Sequence, residues 1–424
     1  MQENILHYIW KTQSFDRQNL HTTAGLPITI LKPGIHNHDA GPDFRDARVR
    51  IDAMEWAGHV ELHVRSSEWY QHQHQTDPAY EGVILHVVWT NDRLVTHEDG
   101  TLIHALELKD RVAINLLKRY ESLMQQRDTI ICSHHLAGID SFDKAMMLEK
   151  SVIERLEDKA TDILGMHKAV QYDWEETAYR LLARAFGLKV NADAFEDLAK
   201  CTPLKLLKKL GANRLQRMAL LYGQSGLLHT DQQDSYLGQL QKEYTFLRSK
   251  YDLNGALSPT HWKFSKLRPF SFPTVRIARF CLLLEKLEHV HQSLLEIEDI
   301  SSFIKEVNHD NDDYWKNHHD FGKKSSRNFT KIGSGFKDVI LLNVVVPLLA
   351  AYSKSVDDQR YMEKALSLLE ITGAEKNSVT RKYIERGFPI RTGLDSQGAI
   401  HLFKEYCHRR RCLECQIGAK IVSA

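Results

Sequence analysis

Several features are scarce in this chain, and each scarcity excludes something. Six cysteines in 424 residues are too few for a disulfide scaffold. The opening MQENILHYIW lacks the basic start and apolar stretch of an export signal. Both points lead us to expect reduced thiols and a cytoplasmic location. Net charge is almost absent, with 56 basic against 55 acidic side chains. No whole-molecule field therefore draws the chain to nucleic acid or an anionic membrane, and such a partner would have to be met by a local patch. Long hydrophobic runs are missing too. The longest, Val339 to Tyr352, is interrupted by Asn343 and Pro347 and falls short of the roughly 20 residues that span a bilayer. It reads as a buried helix, and no membrane contact is expected. No fixed-period repeat or low-complexity tract is found.

What is present is uneven. Single cores stop growing at roughly 250 residues, so this length implies more than one. Apolar residues Ile5, Leu6, Ile9 and Trp10 recur at helical spacing, and the period then changes. Pro27 to Leu31 reads as a strand. Ala47, Val49 and Ile51 alternate, as do Val60, Leu62 and Val64. A helical or irregular link, Ser66 to Tyr80, leads to the apolar strand Val83 to Trp89, and a hairpin turn at Glu98-Asp99-Gly100 follows. Beyond Asp110 strand signals nearly vanish, and amphipathic segments such as Lys144 to Leu164, Glu175 to Phe186 and Val275 to Leu287 take over. The expected fold class is α+β, with an α/β domain over 1–110 and a large all-α region over 111–424. Of the 23 histidines, 13 lie at or before His135, which points chemistry to the N-terminal part.

The densest text there is His36-Asn37-His38-Asp39-Ala40-Gly41-Pro42-Asp43-Phe44, followed by Val60-Glu61-Leu62-His63-Val64. Residues two apart share one face of a strand, so Glu61 and His63 project together, and Arg65 continues that face. Carboxylates from neighbouring strands, Asp43 and Glu61, can jointly hold magnesium or manganese and so activate water. The alternative is that Asp43 caps a turn after Gly41-Pro42 while Glu61 and His63 line an exposed sheet face.

A second group comprises Glu68, Trp69, His72, His74 and Asp77, with His86 on the next strand. His72, His74 and Asp77 suit zinc or manganese. Solvated surface is an equal reading for the two histidines, and for His36, His38 and Asp39. His86, set in Ile84-Leu85-His86-Val87-Val88, reads as a hydrogen-bonded core residue. At the far end, Cys407, Cys412 and Cys415 can present three thiolates to one metal, with Cys132 as the fourth ligand. The metal would be zinc or an iron–sulfur cluster, and unliganded thiols are the alternative. Cys201 and Cys281 read as core. Candidate phosphate contacts are Arg268 and Arg276 before one apolar helix, Lys337 before another, and Arg409, Arg410 and Arg411 beside the cysteines.

The order helix, three strands, link, strand, with Pro-Asp followed by Glu-x-His, resembles the PD-(D/E)xK nuclease superfamily. That resemblance implies a restriction-endonuclease-like core in which Asp43 and Glu61 bind metal and Glu3 is the helix carboxylate. His63 stands where the motif has lysine. The cysteine pattern looks like the iron–sulfur staple of some helicase-associated and CRISPR-associated members. Asn37 to Phe44, Gly58 to His63, Leu267-Arg268-Pro269 and Arg411-Cys412-Leu413-Glu414-Cys415 together look like a bacterial family known only as a domain of unknown function. The functional expectation is a metal-dependent phosphodiesterase acting on nucleic acid. Its alternatives are a non-catalytic nucleic-acid-binding or scaffold protein on a degenerate nuclease fold, and a zinc hydrolase of a small molecule.

Overall fold

The computed structural model describes residues 1–229, 234–308 and 313–424. The chain forms two units. One gathers Met1–Leu148, Ser378–Pro389 and Ala399–Ala424, and the other Glu149–Asn377 and Ile390–Gly398.

The first unit opens with helix α1 (Glu3–Thr12), which buries Ile5, Leu6, Ile9 and Trp10 and carries Glu3 in its first turn and Lys11 in its last, as its macrodipole favours. Gln13, in the left-handed conformation, ends it. Six strands follow: β1 (Ile28–Lys32), β2 (Ile35–His36), β3 (Phe44–Ile51), β4 (Met54–Arg65), β5 (Val83–Thr90) and β6 (His104–Glu107). The sheet runs β1-β3-β4-β5-β6, with β2 pairing on β3. Its first half is antiparallel, whereas β4, β5 and β6 are parallel. The link between β4 and β5 holds only a short helix, α2 (Glu68–Gln71), and two 3-10 turns. Parallel pairing is the reason β5 reads as an unbroken apolar run, since central parallel strands are covered on both faces. The same holds for the middle of β4, where Val60, Glu61, Leu62 and His63 are all buried. The exposed face that strict alternation predicts for Glu61 and His63 is therefore absent.

Helices α3 (Ile114–Met124) and the start of α4 (Ser141–Ala169) belong to this unit, as does the C-terminal segment. Tyr8 donates to the Ala419 carbonyl (3.3 Å), Arg119 to that of Val422 (3.0 Å) and Arg410 to that of Met124 (2.8 Å). The boundary expected at 110/111 follows local composition. These hydrogen bonds between distant segments, invisible to periodicity, place the cysteine-rich end with the sheet instead.

The second unit is a helical assembly around one large apolar core, to which Trp174–Phe186, Arg214–Gln224 and Pro273–Leu284 all contribute. The helix Gly335–Val356 is longer than the apolar run within it and is long and apolar enough, by length and composition, to cross a membrane. Its residues Ile340, Leu341, Val344 to Val346 and Leu348 to Ala351 are buried in this unit's core. A π-helical turn, Leu341–Val345, lies just before Pro347, consistent with a proline removing an intrahelical bond. One small antiparallel pair, His318–Asp320 with Lys323–Lys324, departs from the all-α expectation.

Candidate metal centre

The centre starts from a turn. Gly41 has φ +98°, a conformation that favours glycine, and it leads through Pro42 to Asp43. The Asn37 side chain organises this turn by donating to the carbonyls of Asp39 (3.0 Å) and Pro42 (3.1 Å), while the Asn37 backbone N–H donates to that of Asp43 (2.7 Å). A bulge between Phe44 and Ala47, with Asp46 at φ +55°, then lets β3 pair with β4.

Asp43 and Glu61 are interlocked. The Asp43 N–H donates to Glu61 Oε2 (3.0 Å), and the Leu62 N–H donates to Asp43 Oδ2 (3.0 Å). The same Oδ2 lies 3.2 Å from His7 Nε2. The donor atoms of Glu3, His7 and Asp43 all fall within 4.8 Å of one another. Glu3 and His7 sit one helical turn apart on the same face of α1.

Beyond Glu61 lies a second set, in which the donors of His63, His72 and His74 also fall within 4.8 Å of one another. His63 Nε2 is 3.1 Å from His72 Nδ1, and its Nδ1 is 2.8 Å from His86 Nε2. Tyr80 stacks on His74 at 3.8 Å, and Trp69 packs against both His74 and His86. Glu61 Oε1 reaches this set, 3.4 Å from His74 Nε2 and 3.8 Å from His63 Nε2. One carboxylate thus has one oxygen against Asp43 and the other against two imidazoles.

The electrostatics follow from burial. Glu61 is 4 % exposed, and burial together with the Asp43 charge pushes its carboxyl up to about 9. Burial, then the neighbouring imidazoles, draws His63 down to about 2, and His86 falls to about 3. At neutral pH these imidazoles are neutral, the form that ligates metals. Burial alone would lower His7, but its contact with Asp43 and that group's charge outweigh burial and raise it. A protonated Glu61 between neutral imidazoles is a centre short of positive charge. Imidazole nitrogens combined with carboxylates match manganese or zinc better than magnesium, which prefers oxygen ligands throughout.

Asp43, Glu61, His63, Glu3, His72 and His74 are thus brought together. Asp77 is not among them: its carboxylate caps the turn at Pro78, accepting from the Ala79 N–H (2.9 Å). His36 stacks on Phe44 and lies beside His7 and His38, and burial draws it down to about 4. His38, Asp39 and Arg65 are exposed. Sequence reasoning overlooked His7, although its spacing from Glu3 was the available signal. For His86 it favoured a core role. The residue is fully buried, and it additionally holds the His63 ring.

Arg268 is exposed, whereas Arg276 is buried with its guanidinium 4.0 Å above the Phe336 ring. Lys337 donates to Ser301 Oγ (2.8 Å). Arg409 pairs with Glu405, and Arg411 pairs with Glu414 and lies over Tyr406. Near these last arginines, Cys132, Cys412 and Cys415 are buried and Cys407 half-buried, none in a disulfide. Burial raises the Cys132 thiol first, and the charges of Cys407, Cys415 and Cys412 raise it further. All four cysteines belong to the sheet-bearing unit. Tyr383 Oη is 3.1 Å from Cys407 Sγ. Cys281 is core, while Cys201 is half-buried and donates to the Gly255 carbonyl (3.3 Å).

Fold and site together define an α+β protein whose mixed sheet gathers a histidine–carboxylate donor cluster beneath an N-terminal helix. The chain belongs to the family described as Protein of unknown function (DUF2851), whose model matches residues 3–378. The closing Arg411 to Cys415 motif lies beyond the matched residues. No curated protein and no solved structure matches the chain.

Proposed function

We propose that this protein is a metal-dependent phosphodiesterase of nuclease type, with its reaction centre at Asp43 and Glu61. The observation that carries the reading is the position of the Glu61 carboxylate between two three-donor sets, Glu3/His7/Asp43 and His63/His72/His74. Two such sets flanking one buried carboxylate suit a pair of divalent ions, which would polarise a phosphoryl oxygen and lower the pKa of a bound water. The order helix, antiparallel strands and parallel strand, with Asp43 in the turn that enters β3 and Glu61 on the adjacent β4, also resembles that of the PD-(D/E)xK enzymes named above. His63 replaces the lysine of that motif. Held neutral by burial and fixed by His86, it serves as a ligand or a proton acceptor and brings no permanent charge. Asp43, and Glu61 in its deprotonated form, would supply the negative charge that holds a divalent cation.

The test is cleavage of single- and double-stranded DNA and RNA in manganese, zinc or magnesium, comparing wild type with Asp43→Ala and Glu61→Ala. The expected result is a manganese-supported product that both variants lose. Folded, metal-loaded wild type that cuts none of these substrates would overturn the reading in favour of a nucleic-acid-binding scaffold. Hydrolysis confined to small phosphoesters, dependent on zinc and on His72 and His74, would favour a small-molecule hydrolase.

A further inference from the structure

Two stretches of the second unit carry no acidic residue: 253–284 and 321–337 each hold five lysines or arginines and no aspartate or glutamate. The fold brings them together. The rings of Phe270 and Phe329 lie 4.6 Å apart, Arg279 Nε donates to the Phe329 carbonyl, and the Arg276 guanidinium sits 4.0 Å above the Phe336 ring.

Arg276 and Arg279 stand three residues apart on the helix Pro273–Leu284 and so leave it on one face. They are only 6 % and 3 % exposed. Arg279 uses Nε and Nη1 on the carbonyls of Phe329 and Phe270 (3.3 Å from Nη1), but its Nη2 is buried with no hydrogen-bond partner. Arg276 is barer still, with both Nε and Nη1 buried and unpartnered. The Phe336 ring attracts this cation through its face but supplies no oxygen acceptor. Among the described residues neither guanidinium is in an ion pair. Burial draws Arg276 down to about 10, and burial with the charge of Arg276 draws Arg279 down to about 9, so both stay cationic at neutral pH.

Buried charges are normally paired and hydrogen-bonded, so two bare cations on one helix face call for an anion. The N–H edges of guanidinium match the oxygens of phosphate, and two of them match its double charge. Exposed Arg268, Lys324, Arg327 and Lys331 ride on the same two acid-free stretches and would draw an anion inward.

We propose that Arg276 and Arg279 form a buried binding site for a phosphate dianion, taken as the free ion or as the terminal phosphate of a nucleic-acid strand. The site shares no residue with the histidine–carboxylate centre and stands whether or not that centre cleaves phosphodiesters.

The test is titration calorimetry of the full chain with inorganic phosphate, in chelator and at fixed ionic strength, so that no cation at Asp43 and Glu61 contributes. Folded wild type is expected to show one saturable site. Arg276→Met keeps an apolar stem against Phe336 and removes the charge. It should weaken phosphate binding by about 10- to 100-fold, the loss expected of charge-assisted hydrogen bonds. In chloride it should melt at or above the wild-type temperature, because an unpaired buried charge is gone. Displacement of bound phosphate by a 5′-phosphorylated oligonucleotide, and not by its unphosphorylated twin, would identify a strand end as the source; displacement by neither would identify the free ion, and either result keeps the site. Folded wild type that takes up no phosphate, or an Arg276→Met variant that binds it as tightly as wild type, would overturn the proposal. The first of these outcomes is read on wild type, so it stands even if the variant fails to fold.

Discussion

Asp43 and Glu61 hold each other through the backbone: each carboxylate accepts an N–H from the other's segment, Glu61 Oε2 from Asp43 and Asp43 Oδ2 from Leu62. A substitution that keeps an acceptor oxygen should therefore keep the fold while removing the charge. Glu61→Gln is expected to retain wild-type circular dichroism yet bind manganese about 100-fold more weakly, a loss at the upper end of that seen for altered metal sites. Isothermal titration of both proteins with manganese checks this. Equal affinities would show that Glu61 is not a ligand.

His86 acts through His63. It is fully buried, its Nε2 lies 2.8 Å from His63 Nδ1, and its own Nδ1 has no partner. This arrangement fixes which His63 nitrogen faces His72. His86→Phe preserves the packing against Trp69 but releases the imidazole, and should weaken metal binding by about 10- to 100-fold. A packing role alone would change thermal stability and leave metal affinity where it was, so the two measurements together distinguish the roles.

The buried titrating groups set opposite pH dependences for the metal-free protein. His63 and His86 titrate near 2 and 3 when folded against 6.5 ordinarily, so the unfolded chain binds more protons and stability falls as pH drops below about 6.5. Glu61 titrates near 9 when folded against 4.5 ordinarily. The folded chain then binds the extra proton, and stability falls as pH rises from about 4.5 toward 9. Where the windows overlap, the two histidines outweigh the one carboxyl. Maximum stability is expected near pH 6.5, with Glu61→Gln flattening the alkaline limb and His86→Phe the acid limb. Thermal melts in chelator from pH 4 to 9 provide the check, and an alkaline limb unchanged by Glu61→Gln would sink the assignment.

Much of this centre was legible before any coordinates. The alternation in β3 and β4 and the apolar run of β5 announce strands because side-chain period is a local property. Asp43 and Glu61 stood out as acids beside them. Less legible was whatever depends on partners far away in sequence. Parallel pairing of β4 with β5 buries both faces of β4, so Glu61 and His63 face interior, where strict alternation had suggested a solvated side. His7 lay hidden among the apolar residues of α1, and only the packing of that helix against the sheet brings it to Asp43. Asp77 looked like a third ligand beside His72 and His74, but its short side chain turns back to cap its own backbone, a use of aspartate before proline that composition does not separate from ligation. The C-terminal cysteines have no local signal that assigns them to the sheet-bearing unit.

Close approach of β4 and β5 depends on Gly58. A Cβ built there would meet the Gly82 carbonyl oxygen and Ile84 Cγ2, each at 2.5 Å. The first is backbone and cannot swing aside, so Gly58→Ala must push the strands apart where their pairing begins, at His59 and Val83. Overpacking of this kind costs about 1–3 kcal/mol. The displacement would travel along β4 to Glu61 and β5 to His86, which face each other in register. Gly58→Ala is thus expected to lower the melting temperature and to weaken manganese binding without touching a ligand. A control at Gly100, where an added Cβ meets nothing within 4 Å but φ is +84°, should cost stability through backbone strain alone and leave metal affinity intact. If both variants bind manganese as wild type does, the strand spacing at Gly58 does not govern the geometry of the centre.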